Sequence, residues 1–525
     1  MYCYNAGNPA GNRCKRFYLS CTEGCVAALL LTTMKKLSLL ASALLASAYA
    51  CADEPNTTAD VQKADSEIRF TAERITLPGN EGMGMLGGNY LININKNIQF
   101  GPAVYGAVTG KRGGFFTGGA ELSGRYEVMP KVLAQAGLYV GGGGGGVAMV
   151  GGGLMVRPHA DLLYKFDGGT AGVSVSQVRF PNGSIKSNQV GLVMSLDTNF
   201  RYSPVSSIGK MLNIDDRGGM GFDRIAVTAG AYKPASGVTD LGGVPYTGKI
   251  GYAGFRSDRF ISEQVYWGIE AGAAAKGGAD GYAEVLGTVG AETPVFGDVK
   301  VGARAALGLG GGGKLTVGGG SLGKVAVYAS APLTKDVFVA LEGGMLRFPD
   351  GQFKAKFATV QLGVELDTHR ERGEARTVRG MEWGFSGAYY PKAKRYSGSE
   401  EGVKLVGFKI DRDITPNTYF SAQAHSAYDG NAGGFSVGLA GLGVKTDIRP
   451  NSFFATAEVL SGAAGGGGIS SKGGAIVQGV AYAGYDFNSK ARLKLGVGRV
   501  KSLKGEFNSN IFDVTLTVPI GVASR

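Results

Sequence analysis

The sequence predicts an all-β protein, built from three repeats of an up-and-down antiparallel β-barrel with about eight strands each. Of its 525 residues, 90 are glycine but only 17 are proline. This glycine content disfavours long helices, because each interior glycine costs about 1 kcal/mol relative to alanine. The low proline count excludes a collagen repeat. Apolar and polar residues alternate along short runs, and the same markers recur in three blocks.

The N-terminal region is predicted to direct export. Lys35 and Lys36 precede a short apolar run at 37–46 and the small residues around Ala48 and Ala50, which together have the pattern of a secretory signal peptide at 34–52. The apolar run is too short to cross a bilayer as a helix. We interpret residues 1–33 as an over-extended start; the alternative is a long N-terminal extension.

The positions of the cysteines and the distribution of charge further limit the class of protein. All five cysteines lie within the first 51 residues, so we expect the remainder to fold without disulfides. Cys51 is a candidate for lipidation if cleavage precedes it, and this question stays open. The net charge of +12 is spread along the chain without a dense basic run, which argues against a nucleic-acid partner. We predict no cofactor, and no cluster has metal-ligand spacing.

Three blocks share an ordered set of markers. Each contains a tight turn that leads into an aromatic residue, then a proline turn, then a glycine tetrad followed after four residues by more glycine. The aromatic residues are Phe115, Tyr282 and Phe435, and the tetrads begin at Gly141, Gly310 and Gly465. Such self-similarity indicates a repeated structural unit. We place the repeats at 65–198, 223–368 and 381–520, joined by polar linkers at 199–222 and 369–380.

Within each block the residues alternate with period two. In the second block Val265, Trp267 and Ile269 fall on one face, while Tyr266 and Glu270 fall on the other. This period predicts strands with one apolar and one polar face. In the third block the eight predicted strands begin near Glu382, Gly402, Tyr419, Phe435, Ser452, Ala475, Ala491 and Asn508. Connections after strands two, four and six are short, and the others are longer.

This pattern resembles the small eight-stranded outer-membrane barrels of Gram-negative bacteria, whose short turns face the periplasm and whose long loops face outside. The resemblance implies an integral outer-membrane protein with lipid as its surroundings. Aromatic residues beside the short turns fit an interfacial girdle: Tyr126, Phe296, Tyr419, Phe420, Tyr485 and Phe487. The chain departs from such barrels in lacking a terminal Phe or Trp. A soluble barrel or sandwich with an apolar core would show the same alternation.

The inner faces favour three small barrels over one barrel of 24 strands. They carry mostly small residues, with a few charges predicted to form interior ion pairs: Glu121, Arg125, Glu270, Glu284, Lys300, Arg304, Glu342 and Glu365. Eight strands leave an interior just wide enough for side chains, and buried charges persist when paired. We expect Glu121 to pair with Arg125, and Glu284 with Arg304. In a single wide barrel the same charges would contact protons or solutes in a pore.

The glycine tetrads are candidate contact loops. They are either flexible extracellular loops or glycine-rich strand ends, or they are defined loops that pack on a neighbour or contact a surface partner. The candidate residues are Gly141, Gly146, Gly310, Gly313, Lys314, Gly465, Gly468 and Lys472. The two lysines are placed to meet lipopolysaccharide or a surface polysaccharide, or are simply solvated.

The predicted function is a structural or surface-interaction role, exerted through the Gly-rich loops of an outer-membrane barrel. An outer-membrane pore is the alternative if the repeats close into one wide barrel. A barrel enzyme acting on lipid or peptide, built around His159 or His425, is a minor alternative because a histidine base beside serine or carboxylate is what such chemistry requires. We predict that the protein is not an enzyme.

Overall fold

The computed structural model describes residues 61–212, 218–366 and 376–524. The predicted over-extended start, the signal peptide with Cys51, and His369 lie outside these residues. The described chain is almost entirely β-strand, with one 3-10 turn at Val205–Ser207. None of its helices has the length and apolar character needed to cross a membrane.

Barrel 1 is closed by eight consecutive antiparallel strands. They are β1 (Gln62–Leu77), β2 (Glu81–Asn93), β3 (Ile98–Thr109), β4 (Phe116–Met129), β5 (Val132–Gly144), β6 (Met155–Phe166), β7 (Gly169–Arg179) and β8 (Lys186–Tyr202). The last strand pairs with the first, with Ile68 opposite Leu196 and Glu73 opposite Gly191. A two-residue strand, β9 (Met211–Leu212), follows in the linker.

Barrel 2 has the same topology and also closes on itself. Its strands are β10 (Arg224–Pro234), β11 (Ile250–Phe260), β12 (Val265–Lys276), β13 (Ala283–Phe296), β14 (Val299–Gly311), β15 (Ser321–Pro332), β16 (Val337–Arg347) and β17 (Lys354–Glu365). Strand β10 pairs with β17, with Ile225 opposite Val364 and Ala229 opposite Val360.

Barrel 3 closes through the pairing of β18 with both β19 and β25. Its strands are β18 (Arg376–Lys394), β19 (Glu400–Thr415), β20 (Thr418–Asp429), β21 (Ser436–Lys445), β22 (Phe453–Gly465), β23 (Ala475–Phe487), β24 (Ala491–Ser502) and β25 (Asn508–Ser524). The linker strand β9 also pairs with β18, where Met211 lies opposite Thr377.

These pairings confirm three small barrels and exclude the single 24-stranded barrel, in which β8 would pair with β10. In the third block the strand starts agree closely with the prediction, except that β18 begins at Arg376 rather than Glu382. The predicted alternation of connection length is wrong in two places. Residues 78–80 form a short turn where a long loop was expected, and residues 446–452 form a longer connection where a short one was expected.

The alternation along each strand separates an outer apolar face from an inner polar face. On β17, Val360 and Leu362 are exposed, whereas Thr359 and Gln361 are buried. Tyr126, Phe296 and Phe487 are exposed beside short turns, as expected for a girdle. The prediction that Tyr419 belongs to this girdle is wrong. Its side chain points into the barrel, where the hydroxyl donates a hydrogen bond of 2.8 Å to Glu458.

Candidate functional site

The interior of barrel 1 holds a network of buried charges. Arg69 on β1 contacts Glu121 on β4 at 3.2 Å and also pairs with Asp161 on β6. His159 lies between the same two acids, with Nδ1 2.9 Å from Asp161 and Nε2 3.3 Å from Glu121. One arginine therefore links strands on opposite parts of the barrel wall. The long-loop end of each barrel is the end that carries the connections after strands one, three, five and seven. Nearer to this end, Arg157 donates two hydrogen bonds of 2.9 Å to the Glu73 carboxylate.

Barrel 2 repeats this design with different residues. Arg304 on β14 pairs with Glu270 on β12 and Glu342 on β16. Lys324 on β15 lies 2.9 Å from Glu270 and 2.7 Å from Glu284. Because each acid is bound by a cation from another strand, the network cross-braces the barrel. A second cluster joins Arg224, Asp258, Arg256, Glu292 and Lys300.

The interior of barrel 3 also contains a network of buried charges. Lys494 on β24 lies 2.7 Å from Glu382 and 2.8 Å from Asp411. Lys409 lies 2.5 Å from Glu458, which also accepts from Tyr419. Buried charges of this kind are stable only when paired, and each charged group named in the three networks has a partner of opposite charge.

The predicted interior residues all occupy ion pairs, but the predicted partners are wrong. Arg125 pairs with Glu67 at 3.3 Å, and Lys300 contacts Glu292 at 3.1 Å and Glu365 at 3.7 Å. Glu121 and Arg125 lie four residues apart on β4, about 13 Å along a strand, which is too far for contact. Glu284 and Arg304 lie on adjacent strands but six positions out of register, because Gly290 is opposite Arg304.

An apolar plug closes each barrel at its long-loop end. In barrel 1 the plug packs Phe115, Val150 and Phe180 with other buried residues. Barrel 2 uses Tyr282, Val317 and Phe348, and barrel 3 uses Phe435, Ile469 and Phe507. The aromatic residues that marked the repeats are therefore plug residues, each no more than 1% exposed.

The plugs are held by the same backbone bonds in each barrel. The carbonyl groups of Phe115, Tyr282 and Phe435 accept from Ala107, Ala274 and Ala427 at 2.9–3.0 Å. The glycine-rich loops at 145–154, 312–320 and 466–474 fold inward and contribute Val150, Val317 and Ile469. The structure contains parts of both interpretations, because residues 141–144 and 310–311 are the ends of β5 and β14, whereas the loops that follow them have a defined packing.

Glycines form the contacts between neighbouring barrels. Gly114 has a φ of +89°, and a Cβ built on it would lie 2.2 Å from the backbone N of Gly312 in barrel 2. A Cβ on Gly281 would lie 2.9 Å from the N of Gly466 in barrel 3. Side chains cannot be accommodated at these separations, so the positions require glycine.

The third contact closes these interfaces into a ring. A Cβ on Gly434 of barrel 3 would lie 2.8 Å from the N of Gly145 in barrel 1. In each case the turn after strand three of one barrel meets the loop after strand five of the next. The strands follow the same order, since β3 contacts β14 and β15, β12 contacts β22 and β23, and β20 contacts β5. A head-to-tail interface that closes in this way gives a ring rather than an open chain.

Hydrogen bonds reinforce the ring. Gly113 N donates to Gly318 O at 2.9 Å, and Gly433 N donates to Gly151 O at 3.0 Å. The corresponding turn position in barrel 2 is Asp280, whose carboxylate accepts from the Tyr396 hydroxyl and, at 3.4 Å, from Ser471. Burial and the adjacent Asp280 carboxylate raise the pKa of Tyr396 to about 12.

Among the predicted loop residues, Gly465 faces a neighbouring barrel, since its Cβ would lie 2.1 Å from Gly281 N. The closest neighbours of Gly141, Gly146, Gly310 and Gly313 lie within their own barrels, and Gly468 faces open space. Lys314 and Lys472 have exposed side chains. The glycines of the tight turns were not predicted to form contacts between barrels. The sequence signal for them was their position directly before the repeated aromatic residue.

Neither candidate histidine occupies an accessible site. His159 belongs to the ion network described above, and His425 is buried with its Nε2 beside the Ser386 hydroxyl. In the part of the chain that the structure describes, no group of His, Cys, Asp and Glu has the arrangement of a metal site.

The comparisons with known proteins give structural matches only. No family model and no curated protein matches the chain. Matching solved structures include Pseudomonas aeruginosa OccK2 (OpdF), at 11% identity over 89% of this chain and 99% of that chain, with a TM-score of 0.20. The outer membrane protein opdK from the same organism matches at 8% identity over 87% and 99%, with a TM-score of 0.22. The siderophore receptor PirA from Acinetobacter baumannii matches at 10% identity over 88% and 81%, with a TM-score of 0.26.

The class of the protein follows from its own architecture. Three closed up-and-down barrels with apolar outer faces and charged interiors have the architecture of Gram-negative outer-membrane β-barrels. In this chain three eight-stranded barrels form a ring and are joined by closely packed glycines.

Proposed function

We propose that the protein is an integral outer-membrane scaffold with a structural or surface-interaction role, rather than a wide pore. The observation that carries this proposal is the filling of each barrel, which has an ion-pair network within and an apolar plug at one end. A barrel closed in this way stabilises itself and presents its loops, but offers no open lumen.

The outer faces support a location in lipid. On β8, Val190, Leu192 and Met194 are 68%, 67% and 46% exposed. On β25, Phe512 and Leu516 are 52% and 55% exposed. Exposed apolar side chains at every second position are unfavourable in water but suit the hydrocarbon region. The immediate partner is therefore outer-membrane lipid.

The exposed connections at the long-loop end are the proposed surface for a further partner, such as a polysaccharide or lipopolysaccharide. The longest, residues 235–249, carries Leu241 and Val244, each 62% exposed. The glycine-rich loops themselves are committed to plugs and to the ring, so they are poor candidates for a mobile binding surface.

Two measurements test the proposal. Membrane fractionation with a heat-modifiable gel shift should place the folded chain in the outer membrane. Planar-bilayer recordings of the purified protein should show no large, stable conductance. A soluble fraction would overturn the membrane location, and a large stable conductance would overturn the closed-scaffold function.

A narrow ion pathway through the individual barrels is the second candidate. It is favoured by buried polar atoms that have no hydrogen-bond partner among the described residues, including Asp411 Oδ1, Ser421 Oγ and Thr456 Oγ1 in barrel 3. Internal water molecules usually supply the hydrogen bonds of such atoms. A continuous row of these water molecules through the barrel would allow ions to pass. Small, brief conductance events that disappear when Ser421→Val and Thr456→Val are combined would support this candidate, and their absence in the unmodified protein would exclude it.

A further inference from the structure

The last two strands of barrels 1 and 2 carry cations on the outer face at the long-loop end. Along β8 the outward residues run from Lys186 through Val190 and Leu192 to Leu196. Along β16 they run from Leu341 and Met345 to Arg347. On these strands the cations therefore follow directly after the apolar residues, at the long-loop end. On β24 of barrel 3, Arg499 and Lys501 occupy a similar position, after Leu495 and Val497.

Several of these cations lie directly opposite one another across paired strands. Arg179 is opposite Lys186 in barrel 1, and Arg347 is opposite Lys354 in barrel 2. Lys233 is also opposite Lys356. Like charges placed directly across a ladder are destabilising. Their recurrence at the same place in two repeats therefore indicates a role outside the fold.

No carboxylate neutralises these groups within the described residues. All six side chains are exposed, and none forms an ion pair with a described acid. Asp350 lies in the turn between β16 and β17 and is itself exposed without an ion pair to a described residue. These cations form a surface without neutralising carboxylates, next to the apolar band. Such a surface can bind anions at the membrane boundary.

We propose that a cationic collar, defined as Arg179, Lys186, Lys233, Arg347, Lys354 and Lys356, binds the phosphate groups of lipid headgroups. The fitting partner is a phosphorylated glycolipid, whose acyl chains lie on the apolar band while its phosphates meet the collar. Arginine binds phosphate through two parallel hydrogen bonds, and lysine contributes a mobile point charge. Long basic side chains at a membrane boundary extend their charged ends to the headgroups.

The collar rests on the proposed membrane location, but adds lipid selectivity to it. The three strongest positions for testing lie in barrel 2, where Lys233, Lys354 and Lys356 occupy two adjacent strands. Leu196 lies ten positions after Lys186 on β8, about 33 Å along the strand. A strand tilted by about 40° rises about 25 Å over this length, which is the height of the apolar band, so Lys186 lies at the edge of the band.

The test compares three forms of the full mature chain. One is unmodified, and the second carries Lys233→Gln, Arg347→Gln, Lys354→Gln and Lys356→Gln. The matched control removes the same number of exposed cations beside short turns, through Lys96→Gln, Lys131→Gln, Lys165→Gln and Lys490→Gln. Each form is inserted into phosphatidylcholine vesicles containing a labelled bis-phosphorylated glucosamine lipid, then extracted, and the label retained per protein is measured. Parallel samples use labelled phosphatidylglycerol or millimolar inorganic phosphate as competitor.

The collar predicts that the unmodified protein and the control retain several-fold more glycolipid than the collar variant, and more glycolipid than phosphatidylglycerol. Equal retention by all three forms, each inserted as shown by heat-modifiability, would overturn the collar and leave the membrane location intact. Displacement of the label by inorganic phosphate alone would show a site for the free ion and would also overturn the lipid assignment. Failure of the unmodified protein to insert would overturn both proposals.

Discussion

Gly114 of barrel 1 and Gly312 of barrel 2 approach so closely that a Cβ atom on Gly114 would lie 2.2 Å from the Gly312 backbone N. Equivalent contacts join barrel 2 to barrel 3 and barrel 3 to barrel 1. Three barrels encoded in tandem are therefore arranged as a closed ring, comparable to a cyclic trimer whose subunits are covalently linked. The ring accounts for the glycine that directly precedes the plug aromatic residue in each of the three repeats.

The ring predicts that side chains at both Gly114 and Gly434 separate barrel 1 from its two neighbours without unfolding it. Protease sites are inserted between residues 212 and 218 and between 366 and 376, so that the three barrels can be cut apart. After cleavage the fragments of the unmodified chain should remain associated in mild detergent. Gly114→Val combined with Gly434→Val should release barrel 1 from both neighbours, since overpacking costs about 1–3 kcal/mol per site.

Gly168 provides a control that separates contact from backbone strain. Its φ is +88°, almost the same as that of Gly114, but a Cβ on it would meet nothing within 4 Å. Gly168→Val should therefore leave the cleaved fragments associated. Equal release by both variants would show that strain, rather than the glycine contact, controls the association.

The interior network predicts a strong effect of removing one buried cation. Arg304→Met leaves Glu270 and Glu342 without that partner, and we expect the free energy of unfolding to fall by about 3–5 kcal/mol. Urea unfolding followed by the heat-modifiable gel shift measures this change. Arg449 is exposed and uses only backbone atoms in its hydrogen bonds, so Arg449→Met should have little effect. A small effect of Arg304→Met would contradict a bracing role for the network.

The plugs predict that buried and exposed phenylalanines behave differently. Phe348 is fully buried in the plug of barrel 2, and Phe348→Ala should cost about 3–5 kcal/mol. Phe296 is 84% exposed beside a short turn, so Phe296→Ala should cost much less. The same unfolding assay compares the two. Similar losses would indicate that the plug does not contribute as a packed core.

Tyr396 gives the contact between barrels 2 and 3 a dependence on high pH. Burial and the Asp280 carboxylate raise its pKa to about 12, from an ordinary value near 10. A raised pKa means that the neutral hydroxyl is favoured in the folded chain. Its contribution is complete below about pH 10 and is lost as the pH rises through 12. The difference in tyrosinate absorbance between the unmodified protein and Tyr396→Phe should show a group titrating near 12, whereas a midpoint near 10 would contradict the contact with Asp280.

Sequence patterns predicted the barrel faces well because each strand's alternation is local. Val360 and Thr359 differ in polarity, and the structure places them on opposite faces. The ion-pair partners could not be predicted in the same way. Glu121 meets Arg69 and His159 across the barrel interior, and those distances depend on strand tilt and stagger rather than on spacing along the chain.

The ring was the least predictable feature. The sequence repeats its glycines three times but does not state which barrel each one contacts. Gly434 meets Gly145 only because barrel 3 returns to barrel 1, and no local pattern encodes that closure. Asp280 illustrates the same point, since its partner Tyr396 lies in a different barrel.

Disulfide trapping across strand ends tests most directly whether each repeat closes separately. The chain after residue 51 is free of cysteine, so introduced pairs report without interference. Ala72 lies opposite Leu192, and Val227 lies opposite Leu362. Three closed barrels predict efficient disulfides in Ala72→Cys with Leu192→Cys and in Val227→Cys with Leu362→Cys, and none in Leu192→Cys with Val227→Cys. An efficient 192–227 disulfide, with the other two absent, would show one continuous barrel and contradict the three-barrel account.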